Sequence, residues 1–360
     1  MDTKYEIVKN GLLADIKAGK YGIGDKLPTE SELMEQYSVS RYTVRRAATE
    51  LENDHYAYRI QGGGMYVDNW TKKQAEHLAD KRIGVITTHL ADYIFPSIIS
   101  GIDRVVSTEG YSLMVANTHN DHQVERDSLL NMLSTGIQGL IIEPTLSAIT
   151  NPNADIYQQI KDAGIPVVVI NAAMDEKNFP IVTMDDRKAE FELTDYLLNQ
   201  GHTHILGIFK VDDIQGVHRM RGFTEAYQQR PNLALDSDII MYQSGEGQIA
   251  KTIHKIEAYL KSPDRPTAMA FYNDELAIQV MELVRSLGLR VPEDISIVGF
   301  DDFQLSQYVN PSLTTTVHPK NKMGFDAAKM LFKMIEGQPV ESIIYEPQMI
   351  IRNSVQQHHN

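Results

Sequence analysis

The sequence predicts a multi-domain protein: an N-terminal winged helix-turn-helix of α+β class, then a larger α/β domain of two doubly wound lobes. Three observations carry this. Two capped, short helical patterns fill residues 29–53 and run into a glycine-rich segment at 61–64. From Lys81 onward, short apolar runs alternate with helical patterns. Between them lies DNWTKKQAEHLADK, residues 68–81, polar and only weakly periodic. The expected boundaries are therefore 1–68 for the first domain, 69–81 for a linker and 82–360 for the second domain.

The first domain is read from its caps. Thr29 with Glu32 three residues on is a capping box, so a helix starts there and ends near Ser38. Ser40 then caps a second helix from Arg41 to about Asn53. At 100° per residue, Val44, Ala47, Ala48 and Leu51 form one apolar stripe. Tyr42, Arg45, Arg46 and Thr49 point away from it, and Arg41 lies on the flank of the first turn. The runs YAYRI and MYV, joined by QGGG, predict the hairpin.

The second domain is read from its strands. RIGVITT, SLMVANT, GLIIEP, PVVVIN, HILGIF, TAMAFY and ISIVGF are near-continuous apolar runs, as parallel strands covered on both faces require. Helical segments at 190–198, 222–229 and 275–287 separate some of them. So many β-α units fit two lobes, with any ligand held at the carboxyl ends of the strands.

Composition narrows the function. The chain has 360 residues and is 42% hydrophobic and 23% charged, which is globular. It has no cysteine, so disulfide and thiolate chemistry are excluded. The N-terminal MDTKYEIVKNGLL does not read as a signal peptide, and no apolar run is long enough to span a bilayer; a cytoplasmic location is expected. Net charge is −14, against a generally basic nucleic-acid binder. Yet Ser40–Thr49 carries three arginines and no acid, so a local basic face can dock on phosphate.

That face has the chemistry of DNA reading. Arginine bonds guanine O6 and N7 in pairs, and Thr or Tyr hydroxyls bond bases or phosphates. Glycines at the wing tip let the backbone approach a groove, with Gln61 beside it. The candidate DNA-binding residues are Glu30, Arg41, Tyr42, Thr43, Arg45, Arg46, Gln61 and Gly63. The run KLPTESELMEQYSVSRYTVRRAATELENDHYAYRIQGGGMYV resembles the winged-helix domain of the GntR family. The resemblance implies DNA contacts at Arg41, Thr43, Arg45 and Gly63. Ser31 stands where many members carry Arg; Glu30 either accepts from a cytosine N4 or favours the helix dipole.

Polar groups gather where the α/β strands end. Thr88, His89, Asp92, Tyr93 and Phe95 follow the first strand, Glu143 ends GLIIE, and Asn171 ends VVVIN. Lys210 and Arg219 flank VDDIQGVH, Asn273 and Asp274 end AMAFYND, and Asp301 and Asp302 end ISIVGFDD. Asp185 and Asp274 look like helix N-caps. Carboxylates and amides suit hydroxyl pairs, and an aromatic ring covers an apolar sugar face, so the pattern points to a small polyol. The candidate ligand residues are Tyr93, Glu143, Asn171, Lys210, Arg219, Asn273 and Asp301.

Residues 81–355 resemble the effector domain of the LacI/GalR family, which is periplasmic-binding-protein-like. The matching runs are RIGVITT, GHTHI, RMRGF, FYNDELAI, VPEDISIVGFDD and LTTTVHPK. That resemblance implies Arg219 as a clamp on a hydroxyl or carboxylate. A GntR-type reader on a LacI-type body, with runs such as ADYIFPSII and GHTHILGIFKVDDIQGV, resembles the arabinose-operon repressor family of Gram-positive bacteria. The resemblance implies L-arabinose as inducer, with a different sugar on the same architecture as the alternative. One winged helix reads few base pairs, so a homodimer on palindromic operator DNA is expected, with no cofactor and no membrane partner.

Two other readings fare worse. An enzyme would need a phosphate loop, a metal cluster or a nucleophile with its base, and none is visible; His202 and His204 share a face without an evident carboxylate. A transport binding protein would not carry the N-terminal reader.

Overall fold

The computed structural model describes residues 3–60, 62–70, 81–90, 93–172 and 179–358. The chain divides into two compact units, 1–81 and 82–360. Gln61 and Asp92, both singled out above, lie outside the described residues, as do residues 71–80 of the expected linker. Asn69 and Trp70 are described with the first unit, where Trp70 packs its ring 5.6 Å from that of Tyr56.

In the first unit, α1 (Lys4–Lys17), α2 (Glu30–Tyr37) and α3 (Arg41–Asn53) precede β1 (Ala57–Ile60) and β2 (Gly64–Val67). The capping box forms as read: Thr29 Oγ1 accepts from Glu32 N, and Thr29 N donates to Glu32 Oε2 at 2.7 Å. Ser38 ends α2 in the left-handed region, and Ser40 Oγ accepts from Thr43 N to start α3. Val44, Ala47, Ala48 and Leu51 are buried against Val8, Leu12 and Ile16 of α1 and Leu33 of α2. β1 and β2 pair antiparallel, Ala57 with Val67 and Ile60 with Gly64. A third segment joins them, because Lys26 bridges to Tyr66 and Leu27 N donates to Met65 O.

The second unit begins with a wholly parallel sheet in the order β13-β7-β6-β5-β3-β4. Its strands are β3 (Arg82–Thr87), β4 (Ser112–Asn117), β5 (Gly139–Ile142), β6 (Val167–Ile170), β7 (Ile181–Met184) and β13 (Ile343–Tyr345). The helices α4 (Phe95–Thr108), α5 (His122–Ser134), α6 (Ala154–Asp162) and α11 (Lys320–Ile335) cover it. β5 and β6 are buried along their whole length, which explains their unbroken apolar runs.

The second lobe has the parallel order β11-β10-β8-β9. These strands are β8 (Ile205–Lys210), β9 (Asp238–Tyr242), β10 (Ala268–Phe271) and β11 (Ser296–Val298). They alternate with α7 (Asp186–Asn199), α8 (Ile214–Gln228), α9 (Gln248–Lys261) and α10 (Asp274–Ser286). A short antiparallel pair, β12 (Thr315–Thr316) with β14 (Met349–Ile350), completes it. The chain passes between the lobes after β7, after β12 and after β13. Among the described residues no helix is long and apolar enough to cross a membrane.

α7 and α8 pack closely because Gly222 has no side chain: a Cβ there would sit 2.2 Å from the carbonyl oxygen of Arg187. Gly222→Ala must therefore push two helices apart. The expected loss is about 1–3 kcal/mol, the usual scale of overpacking, read as a lower urea midpoint at constant slope. An unchanged midpoint would show that the helices separate freely.

Candidate functional site

The outward face of α3 carries the reader's chemistry. Arg41, Tyr42, Arg45, Arg46 and Thr49 are exposed, Tyr42 at 76%. Glu30 belongs with them: it stands in the first turn of α2, where a carboxylate favours the helix dipole as read, and it has a further role. Its carboxylate takes Arg45 Nε at 2.9 Å and lies 3.5 Å from Arg41 Nε. Engaged in this way, it holds both guanidinium groups by their inner edge rather than standing free as a base acceptor. The outer N–H groups of Arg45 keep the paired geometry that suits a guanine edge. Arg46 stacks over the Tyr5 ring at 3.9 Å. Thr43 Oγ1 lies 2.9 Å from Ser40 Oγ, a contact that orients its hydroxyl and leaves it further hydrogen-bonding capacity. Gly63 turns the wing, its N–H donating to Ile60 O at 2.9 Å. Lys26 lies over the Tyr66 ring at 6.0 Å.

In the second unit, a cavity of about 320 Å³ opens between the lobes at the carboxyl ends of both sheets. All seven candidate ligand residues line it, with Thr88, His89 and Phe95. Arg219 and Lys210 are the cations on a lining rich in carboxylates. Arg219 projects from α8 and is only 3% exposed. Its Nε donates to Asp186 Oδ1 at 2.9 Å, its Nη2 lies 3.4 Å from Asp301 Oδ1, and its Nη1 donates to Tyr272 O. The Phe300 ring lies 3.5 Å beneath the guanidinium. Burial alone would lower the Arg219 pKa; the carboxylates of Asp301 and Asp186 more than reverse that. The same burial pushes the Asp186 carboxyl above its ordinary range.

Asp301 has φ +98°, a conformation that side chains rarely adopt. The bend aims its carboxylate at Arg219 and at the Tyr93 hydroxyl, which lies 2.6 Å from Oδ2. Tyr93 belongs to the first lobe, so this contact crosses between lobes. Asp302 turns the other way and pairs with Arg352 at 2.6 Å. The two acids thus face apart as expected, through left-handed backbone rather than strand alternation.

The first-lobe wall is a relay. Thr88 Oγ1 donates to Glu143 Oε2 at 2.7 Å, and Asn171 Nδ2 donates to Glu143 Oε1 at 2.9 Å. That amide orientation turns Asn171 Oδ1 toward His318 Nε2 at 3.0 Å, so Nε2 is the protonated nitrogen. Burial holds His318 down to about 4 and therefore neutral, and pushes the Glu143 carboxyl up. On the opposite wall, Lys210 lies 3.0 Å from Asp213 Oδ2, which also accepts from Tyr272 OH at 2.7 Å. Burial would lower the Lys210 pKa; Asp213 and Asp212 outweigh it.

Comparison with known proteins decides the family. Residues 4–67 match the bacterial regulatory proteins of the gntR family, and residues 194–355 match a periplasmic binding protein-like domain. The chain is 43% identical over 98% of both lengths to an arabinose metabolism transcriptional repressor from Geobacillus stearothermophilus. It is 40% identical, over 98% of this chain and 97% of the relative, to one from Halalkalibacterium halodurans. The chain belongs to the arabinose metabolism transcriptional repressors. A LacI family transcriptional regulator from Enterococcus faecium, solved with bound ribose, shares the fold of the repressor's larger unit. It superposes with a TM-score of 0.68 at 23% identity, covering 78% of this chain and 100% of its own.

The repressor's pocket includes residues that the sequence did not single out: Asp186, Asp213, Gln215, Tyr272 and His318. His318 lies in the LTTTVHPK run, and Asp213 in VDDIQGVH, so both had a signal; Asp186 follows the unrecognised strand β7. Two expectations are corrected. Asp274 is not a cap: Asn273, with extended backbone, caps α10 by accepting from Leu276 N at 3.0 Å. Asp274 is instead buried, accepting from Phe303 N, Ser306 Oγ and Thr315 Oγ1, each at 2.7 Å. His204 does have a carboxylate neighbour, Asp238 at 3.3 Å. Among the described residues, however, no group of three His, Asp or Glu could hold a metal. Asp185 caps α7 as read, accepting from Lys188 N.

Glu190, buried in α7, has one carboxyl oxygen on Thr194 and none on the other. Burial pushes it up to about 8. A carboxyl whose folded pKa is raised stabilises the fold below its unfolded pKa, and that stability is lost as pH rises through about 8. The repressor should therefore melt lower at pH 9 than at pH 6. Glu190→Gln should shrink that difference; an equal fall in variant and wild type would place the titration elsewhere.

Proposed function

We propose that this chain represses arabinose-utilisation genes by holding operator DNA with α3 and the wing, and that L-arabinose in the inter-lobe cavity releases it. The observation that carries the sugar reading is Arg219, buried among Asp186, Asp301 and Phe300 at the centre of a cavity whose two walls come from different lobes. A polyol placed there meets carboxylates and a guanidinium, with the rings of Tyr93, Phe95 and Tyr272 on the lining. The ligand residues are Tyr93, Glu143, Asn171, Lys210, Arg219, Asn273 and Asp301, joined by Asp186, Asp213 and His318. The DNA residues are Arg41, Tyr42, Thr43, Arg45, Arg46, Gln61 and Gly63, with Glu30 orienting the arginines.

A ligand gripped by both lobes binds the closed form better, and only that difference moves the equilibrium. Closure then misplaces the paired recognition helices relative to two half-sites. A homodimer on a palindrome follows from the few base pairs that one winged helix reads. The repressor acts in the cytoplasm, without a cofactor and without catalysis.

Titration calorimetry with a panel of pentoses and hexoses tests the ligand. L-Arabinose is expected to bind with one site per chain and the other sugars more weakly. Tighter binding of a different sugar would keep the architecture and replace the inducer.

A further inference from the structure

Two loops of the first lobe meet two loops of the second at the cavity's mouth. Asn120 Nδ2 donates to Ser244 Oγ at 2.7 Å. Ile214 N donates to Ser147 Oγ at 2.9 Å, and Ala148 N to Asp212 O at 3.3 Å. We propose that Asn120, Ser147 and Ser244 form a latch across the mouth, and that its closure positions α8, and so Arg219, for the sugar. This rests on reading the cavity as a sugar site.

Each side of the latch is braced within its own lobe, so the bonding atoms are preset. Asn120 Oδ1 accepts from Leu146 N at 3.0 Å, which ties the loop after β4 to the loop after β5. Thr145 N donates to the buried Glu125 carboxylate at 2.9 Å. Across the cleft, Ser244 N donates to Asp212 Oδ2 at 2.6 Å, tying the loop after β9 to the loop after β8. Asn120 and Leu146 are both held at positive φ, which leucine adopts only under constraint.

The bond to Ile214 shows why this is a coupling contact. Ile214 opens α8, and its N–H is one of the donors that a helix start leaves unsatisfied. The helix's own cap, Asp213, serves Gly216 N instead. The other lobe therefore satisfies the first amide of the helix that carries Arg219. When the lobes part, water takes these neutral groups, so the latch biases closure without locking it.

The chain itself passes between the lobes near other residues of the lining. Asp185 N donates to Tyr345 O at 3.1 Å, and Val317 N to Gln348 O at 2.8 Å. The cavity is lined by Met184 and His318 near these crossings and by Asn120, Ser147 and Ser244 at the mouth. Hinge and latch residues thus line one cavity.

The test uses the full chain with Ser147→Ala and Ser244→Ala combined. Neither change removes the braces at Leu146 and Asp212. Because the chain has no cysteine, Asn131→Cys on α5 and Lys255→Cys on α9 provide one spin-label site on each lobe, both exposed. Without sugar, the double variant should show a longer or broader label distance than the unsubstituted serines. Its affinity for L-arabinose should fall about tenfold, the effect of two neutral hydrogen bonds, while sugar-free operator affinity stays within about twofold. An unchanged sugar-free distance overturns the latch. Weakened sugar binding with an unchanged distance also overturns it, because the serines would then touch the sugar itself. If the parent protein binds no L-arabinose, the sugar reading falls, and the sugar-free distance alone still decides the latch.

Discussion

Arg219→Ala is expected to lower the stability of the larger unit by about 3–5 kcal/mol, the cost of stripping a buried charge of its partner. Asp186 and Asp301 both face Arg219 in a nearly solvent-free site, 2.9 and 3.4 Å away. With the guanidinium gone, two buried carboxylates confront each other with no cation between them. The Phe300 ring also loses the flat group that covers it. Urea unfolding should show the loss as a lower midpoint, and calorimetry should show no sugar binding. Arg219→Lys separates the two effects. It keeps a positive charge but not the planar fork, so stability should fall less while sugar binding is still lost. Unfolding of Arg219→Ala at the wild-type urea concentration would mean that the three groups are not charged together.

Arg45→Ala is expected to weaken operator binding by about 1–3 kcal/mol, the range of one good paired base contact. Arg45 is exposed on α3, and Glu30 fixes its inner edge. Glu30→Ala should weaken binding less, because it frees the arginines without deleting them. Footprinting at fixed salt distinguishes the two. Equal losses would make Glu30 a contact in its own right, and no loss for Arg45→Ala would remove it from the interface.

These two predictions differ in how visible their residues were in the sequence. The reader was legible because local chemistry writes it: Thr29, Glu32 and Ser40 mark helix starts through bonds spanning three residues. The apolar stripe of α3 follows from the helical period. The pairing of Lys26 with Tyr66 was not legible, because backbone groups make it across forty residues. In the larger unit, buried strands announced themselves as apolar runs, whereas Ile181–Met184 is broken by Thr183 and runs straight into Asp185 and Asp186. Arg219 and Asp301 were found at the strand ends and in the quoted runs. Asp186 was missed with its strand. The Asn273–Asp274 pair shows the limit of local patterns: either residue can cap a helix, and only the extended backbone at Asn273 decides which does.

The central claim, that sugar in the cavity releases DNA, is tested most directly by operator titrations with and without L-arabinose on the wild type and on Asp301→Asn. Asparagine suits this position, since it tolerates positive φ and keeps the shape of the side chain while removing the charge that faces Arg219 and Tyr93. The account predicts that L-arabinose weakens wild-type operator binding by roughly 1–3 kcal/mol per site. Asp301→Asn should bind operator as the wild type does and fail to let go at the same sugar concentration. Tighter operator binding by the wild type in the presence of sugar, or release of the variant at the wild-type concentration, would contradict it.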